Sequence, residues 1–565
     1  MSASADGDRV AAGLGPSAHV DTFARDHLPP MADWPRFDFT LAPGLRYPAR
    51  LNCAAELLDG AVAAGHGDRP AIRCGATTLT YGALLAEANR IAHALVENLG
   101  VVPGNRVLLR GPNNEQMVAC WFAVLKAGAI AVTTMPLLRA RELAYTLEKA
   151  RVTLALCDAR FEEELVAAAA RADVGEGGQR ARVVRYRDGG PGSLEALSAG
   201  KPATFASVDT ASDDVALIAF TSGTTGAAKG TMHFHRDALA ICDTFSRHVL
   251  RPTADDVFCG TPPLAFTFAL GGLLLFPFRA GASAVLLEQP SPRALLETIQ
   301  NHRATTLFTA PTMYRVLLDH LGEYDIGSLR RCVSAGETLP AAVYQAWLDA
   351  TGIKIIDGIG STEMLHIFIS AADDDIRPGA TGKAVPGYEA CVLDDAGQPI
   401  PPGTVGHLAV RGPTGCRYLA DPERQRGYVR DGWNLTGDAY VMDADGYFWF
   451  QARADDMIIS SGYNIAGPEI ENVLLEHPLI KECGVVGTPD PARGALVTAY
   501  VVLRDPAAAG DGLVAELQDF VKAEIAPYKY PRKVVFVESL PRTETGKLQR
   551  FRLRQLAAEA AGRGA

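Results

Sequence analysis

Thr221-Ser222-Gly223-Thr224-Thr225-Gly226-Ala227-Ala228-Lys229-Gly230 follows the uncharged run Val215-Ala216-Leu217-Ile218-Ala219-Phe220. The run has the length of a buried strand, so the ten residues after it read as a loop leaving that strand. Three glycines let the backbone turn its N–H groups toward one point, which suits a phosphate. Thr221, Ser222, Thr224 and Thr225 add hydroxyls that can donate or bind a metal, and Lys229 adds a positive charge. The spacing differs from the common P-loop, which needs four residues between its glycines and then Gly-Lys-Ser/Thr. Here two residues separate Gly223 from Gly226, and Lys229 precedes a glycine. A flexible surface loop would show much of the same composition, and the stretch alone leaves both readings open.

Working outward, Arg106-Val107-Leu108-Leu109 reads as a strand, residues 115–127 as a helix closed by Gly128, and residues 129–133 as the next strand. A second such round runs from 142 to 220 and a third from 236 to 356. This alternation predicts an α/β fold with a largely parallel sheet. After Ala380, short alternating stretches lie between turns such as Pro401-Pro402-Gly403, which predicts a β-rich subdomain over about 380–454. From Asp455 a last unit begins with its own helix and strand pattern. At 565 residues the chain is too long for one core. The expected division is an N-terminal arm (1–45), a large N-terminal domain of layered α/β sheets with the β-rich subdomain (46–454), and a small α+β C-terminal domain (455–565).

The net charge of -11 argues against general binding to nucleic acid or an anionic membrane, while leaving room for a local basic pocket. Ten scattered cysteines with no CxxC pair argue against zinc and disulfide frameworks and fit reduced thiols in a cytoplasmic protein. The first 30 residues lack a signal-peptide pattern. The apolar run 264–278 carries Gly271, Gly272 and Pro277 and stops at Arg279, which predicts a core element and no membrane span.

Four more stretches carry candidate chemistry. Asp357-Gly358-Ile359-Gly360-Ser361-Thr362-Glu363 follows an expected strand at 353–356, and loops at the carboxyl ends of sheet strands are where α/β folds bind ligands. Glu363 offers an oxygen ligand of the kind magnesium takes beside phosphates; a solvated Glu after a Gly-rich turn is the plain alternative. Asp438, in Leu435-Thr436-Gly437-Asp438, reads as a tight-turn residue able to accept two hydroxyls, as from a ribose. The others are Ala452-Arg453-Ala454-Asp455-Asp456 with the following Ser460-Ser461-Gly462-Tyr463, and Pro541-Arg542-Thr543-Glu544-Thr545-Gly546-Lys547.

In this order and spacing the five motifs resemble the adenylate-forming superfamily of acyl-CoA synthetases, peptide-synthetase adenylation domains and luciferases, over residues from about 50 to 555. Within it, Asp357-Gly358-Ile359-Gly360-Ser361-Thr362-Glu363-Met364-Leu365-His366-Ile367-Phe368 looks like the benzoate– and 2-aminobenzoate–CoA ligases. The resemblance implies an ATP- and CoA-dependent reaction in two steps: an aromatic acid attacks the α-phosphate of ATP to give an acyl-adenylate and pyrophosphate, and CoA then displaces AMP. It implies that Thr221, Ser222, Gly223, Thr224, Thr225, Gly226 and Lys229 hold phosphates. Thr224 and Glu363 would bind magnesium. Ala335, Gly336 and Glu337 with Asp357, Gly358, Ile359, Gly360, Ser361 and Thr362 would frame the nucleotide. Asp438 and Arg453 would take the ribose, and Lys547 would bridge carboxylate and α-phosphate. Lys547, Lys229 and Glu363 are the catalytic candidates. The C-terminal domain would be mobile, turning about a hinge at Asp455, after which Ser461, Gly462, Tyr463, Arg493, Tyr530 and Arg532 would hold CoA.

Phe266, Phe268, Gly360 and His366 are the acyl-pocket candidates. Phe266 and Phe268 suit an aromatic ring but would equally serve as core residues; His366 suits an ortho substituent or a satisfied core position. No Asp stands where peptide-synthetase domains hold an α-amino group. The chain departs from the family pattern at Ala228, Ala452 and Ile359. The expected substrates are a small aromatic acid, most simply 2-aminobenzoate or benzoate, with ATP, magnesium and CoA, and a monomer or homodimer is expected. The alternatives are a medium-chain aliphatic acid, an aryl-adenylating enzyme that loads a carrier protein, and a nucleotide-binding protein without catalysis.

Overall fold

The uncharged run does form a strand, Val215–Thr221, buried through Ala219. In a computed structural model of the chain, the described residues are 13–175, 178–221, 228–336, 339, 341–453, 457–541, 548 and 550–562. Val215–Thr221 lies in a six-stranded sheet, beside Ile130–Thr134 on one side and Lys229–Phe234 on the other. All pairs in this sheet are parallel except the last, where the chain turns back and Thr221 faces Lys229 across the ladder.

A second sheet has nine strands, among them Val257–Gly260, Thr306–Thr309, Arg331–Ser334 and Ile355–Gly360. These four run parallel. The helix Glu115–Lys126 is buried at ten successive positions, from Met117 to Lys126. It has no polar face because its apolar residues join one cluster with Val107 and Ala131 of the first sheet and Ile72, Phe308 and Ile356 of the second. The only charge at its buried end, Lys126, is held by both carboxylate oxygens of Asp59 at 2.5 and 2.6 Å. The apolar run 264–278 forms the buried helical stretch Thr267–Ala280.

Five antiparallel strands between Glu389 and Arg453 make a third sheet. Two local expectations change here. Asp438 sits inside the strand Trp433–Met442, in register with Arg453. Gly437, with φ of 79°, takes the turn-like conformation without breaking the ladder. Likewise Asp357, Gly358, Ile359 and Gly360 continue the strand Ile355–Gly360 of the second sheet, because Asp357 pairs with Ser334 and Ile367–Ser370 pairs back along Gly358–Gly360.

The C-terminal part holds the hairpin Met457–Ser460 and Tyr463–Ala466, a three-stranded sheet, and the helices Gly467–Leu474, Asp511–Glu524 and Arg550–Gly562. Residues 13–45 lie against the first sheet's region: Asp21 takes Arg106 at 2.5 Å, and Asp214 accepts from Arg25 and from the Ala18 amide. All ten cysteines are free, nine of them buried. No helix among the described residues is long and apolar enough to cross a membrane.

One buried ion pair locks the third sheet's neighbourhood to the first sheet. Arg417, fully buried, pairs with Asp237 and lies 3.8 Å from the Phe234 ring centroid. Asp237 also accepts from the Phe234 amide at 2.9 Å. Removing one partner strands a buried charge. Asp237→Ala should therefore lower the unfolding free energy by about 3–5 kcal/mol, read as the shift in urea midpoint.

Candidate active site

A cavity of about 770 Å³ lies where loops at the carboxyl ends of both large sheets meet the C-terminal part. Ligand sites of open α/β sheets form in such places because strand ends leave backbone groups free. It is lined by Thr133 and Thr221 of the first sheet, by Thr309, Ala335, Gly336 and Gly360 of the second, and by Ser461, Gly462, Tyr463 and Arg493.

Phe266, Phe268 and His366 all line it. The His366 ring centroid is 5.7 Å from that of Phe268, 4.6 Å from Phe276 and 5.3 Å from Phe245. Two glycines make room for it. A Cβ on Gly271 would come within 2.4 Å of its Cδ2, and one on Gly360 within 2.7 Å of its carbonyl carbon. His366 is 2% exposed, and burial holds its pKa down at about 3, so the ring is neutral. Its Nε2 is 3.2 Å from the Phe268 carbonyl. A carbonyl only accepts, so Nε2 carries the proton, and Nδ1 is left as a buried acceptor without a partner.

Next to Thr362 of the lining, and itself outside it, Glu363, 8% exposed, accepts from the Tyr418 hydroxyl at 2.6 Å. Burial and the Glu363 charge push the Tyr418 hydroxyl well up, which keeps it a donor. The Lys229 ammonium is 5.6 Å from the Tyr418 ring centroid. Thr362 is fixed through its carbonyl, 2.8 Å from His233 Nε2, and the Ser361 and Tyr428 hydroxyls are 3.4 Å apart. Burial, with the Glu363 charge and a smaller part from Asp438, pushes the Tyr428 hydroxyl well up. Tyr418 and Tyr428 escape sequence reasoning. Tyr418 is brought in by an isolated bridge to Thr231, on the strand Lys229–Phe234, and spacing carries no trace of such a contact.

Ser334 and Asp357 are in register on neighbouring strands, which sets Ala335 and Gly336 beside Asp357, Gly358 and Ile359. Glu337, Asp455, Lys547, and Ser222, Gly223, Thr224, Thr225 and Gly226 lie outside the described residues, as does the Arg453 side chain. Leu548, next to Lys547, packs with Tyr500, Leu540 and Leu553 inside the C-terminal part and does not line the cavity.

The tip of the 457–466 hairpin covers the cavity. Ser461 donates its amide to the Arg493 carbonyl at 3.0 Å, and the Arg493 guanidinium donates to Ser461 Oγ at 3.2 Å. Tyr463 stacks on Tyr528 at 4.1 Å. Arg532 lies 4.7 Å from the Tyr530 ring centroid, and burial together with nearby Arg493 lowers its pKa. Tyr530 and Arg532 stand outside the cavity lining. Two guanidiniums held close together suit an anionic ligand.

The chain belongs to the AMP-binding enzyme family, whose pattern covers residues 60–418, with the AMP-binding enzyme C-terminal domain over residues 469–547. It is 34% identical to the benzoate–CoA ligase of Thauera aromatica across 91% of this chain and 97% of that one. Among solved structures it is similar to an anthranilate–CoA ligase in complex with anthranoyl-AMP (34% identity, 91% and 99% coverage, TM-score 0.70). It is also similar to an amide bond synthetase from Marinactinospora thermotolerans (29% identity, 90% and 99% coverage, TM-score 0.80).

Asp357 gives a test of the site's electrostatics. Its Oδ1 is buried without a partner, and burial pushes its pKa up to about 7. A raised carboxyl means that the folded chain binds the proton more tightly than the unfolded one, so its share of stability falls as pH rises from about 4 to about 7. Asp357→Asn, which cannot ionise, should gain stability relative to the parent over that interval. Urea midpoints of both proteins at about pH 5 and pH 8 measure the difference, which should be larger at the higher pH.

Proposed function

We propose that the chain is an AMP-forming acid–thiol ligase that activates an aromatic carboxylic acid with ATP, as an acyl-adenylate, and passes the acyl group to CoA with release of AMP and pyrophosphate. The observation that carries this reading is the aromatic end of the cavity, where Phe266, Phe268 and a neutral His366 surround a space just beyond Gly360. A flat apolar ring fits between such side chains. Its carboxylate would then point toward the loops bearing Thr221 and Ser361.

Within the aromatic class, 2-aminobenzoate uses the pocket more fully than benzoate does. The amino group donates a hydrogen bond, and His366 Nδ1 is an acceptor in need of a donor. A medium-chain aliphatic acid would leave that atom unpaired. Arg493 beside Arg532 favours free CoA, with its phosphates, over a carrier protein.

The residues divide the work by charge. A carboxylate attacking a phosphate meets mutual repulsion, so cations and donors around the phosphorus are the main requirement. Lys229 and the hydroxyls of Thr221, Ser222, Thr224 and Thr225 would serve the leaving pyrophosphate. Ala335, Gly336, Glu337, Asp357, Gly358 and Ile359 would frame the adenine, and Asp438 with Arg453 would hold the ribose. Glu363 fits magnesium: it is one carboxylate, one of its oxygens is already engaged by Tyr418, and this cation keeps phosphate oxygens as further ligands. With Thr224 it would hold the ion, whose charge offsets that of the phosphates.

Lys547 would neutralise the acid and the α-phosphate in the first step. The arrangement described here has the hairpin tip over the cavity and Leu548 turned into the C-terminal core, which suits the second step. Passing between the two requires the unit after about residue 455 to turn about Asp455. The ten unpaired thiols support a reducing, cytoplasmic setting.

Pyrophosphate release with ATP and magnesium, over benzoate, 2-aminobenzoate, 2-hydroxybenzoate, phenylacetate and octanoate, each with and without CoA, tests the reading. A CoA-stimulated signal confined to the aromatic acids is expected; a preference for octanoate, or indifference to CoA, would refute it. Lys547→Ala should abolish acid-dependent pyrophosphate release while the protein stays folded. His366→Phe should lower the ratio of kcat/KM for 2-aminobenzoate over benzoate by about tenfold, the worth of one buried hydrogen bond.

A further inference from the structure

The C-terminal unit touches the large domain through contacts of two kinds. Arg141 pairs with Glu476 at 2.6 Å, but both side chains are near half exposed. Arg315 donates to the Ala492 carbonyl at 3.1 Å from an exposed position. Exposed contacts of this sort hold domains weakly.

The third contact is buried. Lys529, 4% exposed, donates to Glu469 Oε1 at 2.8 Å and also to Glu142 Oε1. The other oxygen of Glu142 accepts the Ala526 amide at 2.9 Å and the Arg139 amide at 3.0 Å. Burial and the Glu142 charge raise the pKa of Glu469, and its two carboxylate neighbours help keep Lys529 charged.

The ownership of these groups matters. Lys529, Glu469 and Ala526 belong to the C-terminal unit and travel together. Glu142, on the helix Ala140–Lys149, belongs to the large domain and stays behind. Tyr528, next to Lys529, stacks on Tyr463, which lines the cavity. Glu142 therefore grips the segment against which the cavity's cover stacks.

We propose that Glu142 is a positioning residue for the thiol-transfer step: its bond to Lys529 holds the C-terminal unit with Ser461, Gly462 and Tyr463 over the cavity, and must break before Lys547 can approach. The idea rests on the two-step ligase reading above. It makes the choice between the two steps depend on one carboxylate of the cavity wall, on a helix that the motifs do not include. When the unit turns, the Lys529–Glu469 pair remains whole, so the buried contact that is lost is the one to Glu142.

The experiment separates the steps. Glu142→Gln keeps size and an acceptor oxygen but removes the charge. With 2-aminobenzoate, ATP and magnesium, quenched single turnovers measure aryl-adenylate formation; addition of CoA then measures aryl-CoA formation from the adenylate already bound. Glu142→Gln should slow the second step about tenfold, the loss of one charged partner, and leave the first unchanged or faster. Glu142→Asp, which keeps the charge at shorter reach, should recover part of the second rate. Equal loss in both steps, no loss in either, or an Asp variant as slow as the Gln variant would overturn the proposal. A far-UV circular dichroism spectrum that matches the parent's shows that the fold is intact. Failure of the parent itself to make aryl-CoA would sink the ligase reading and this inference with it, whereas a competent parent without the split sinks only the inference.

Discussion

The structure answers to one constraint: a site for anions has to be built at the ends of parallel strands in a chain whose net charge is -11. Strand ends supply backbone groups and loops, but two sheets must aim theirs at one volume. They do so by sharing the helix Glu115–Lys126, whose apolar residues enter a single cluster with both sheets. Because that helix is covered on every side, the sheets cannot slide relative to each other without opening a packed core, and close packing resists that strongly. Behind the loops, the Arg417–Asp237 pair and the His233 contact to the Thr362 carbonyl tie Tyr418 and Glu363 to the strand Lys229–Phe234 and the helix after it.

Charge is then sorted along the cavity. The aromatic end holds an imidazole kept neutral by burial, so nothing there competes for an anion. Lys229 follows Ala228 of the lining, and the cover carries Arg493, whose charge acts on Arg532. A carboxylate substrate entering such a gradient is oriented by electrostatics as well as by shape, since charge interactions weaken only slowly with distance inside a protein. Tyr418 has a related part: by occupying one oxygen of Glu363 it leaves the carboxylate a defined direction for its remaining contacts.

The same reasoning explains why the cover is held by a buried ion cluster. A purely apolar interface of that size would favour a single closed state. A contact among Glu142, Lys529 and Glu469 strengthens closure while the groups are dry, and water can replace it on opening. An interface of this kind would suit the domain turn proposed above.

Much of the fold was legible in the residues. The uncharged run 215–220, the helix closed by Gly128 and the β texture after Ala380 each depend on local pattern, and each forms as read. Phe266, Phe268, Gly360 and His366 were placed at a pocket by their motif neighbours, and they line one. Local reading failed where pairing partners overrode turn chemistry: Asp438 and the Gly358–Gly360 stretch look like turns or loops, yet Arg453 and the 367–370 strand draw them into ladders. The sequence by itself determined the elements, the motifs and the chemistry of each side chain, because these rest on periodicity and residue type. Only the tertiary structure decided that Tyr418 meets Glu363, that His366 keeps a bare nitrogen, and that Glu142 meets Lys529 across 387 residues. Those contacts come from how separate elements pack, and no spacing within one element encodes them.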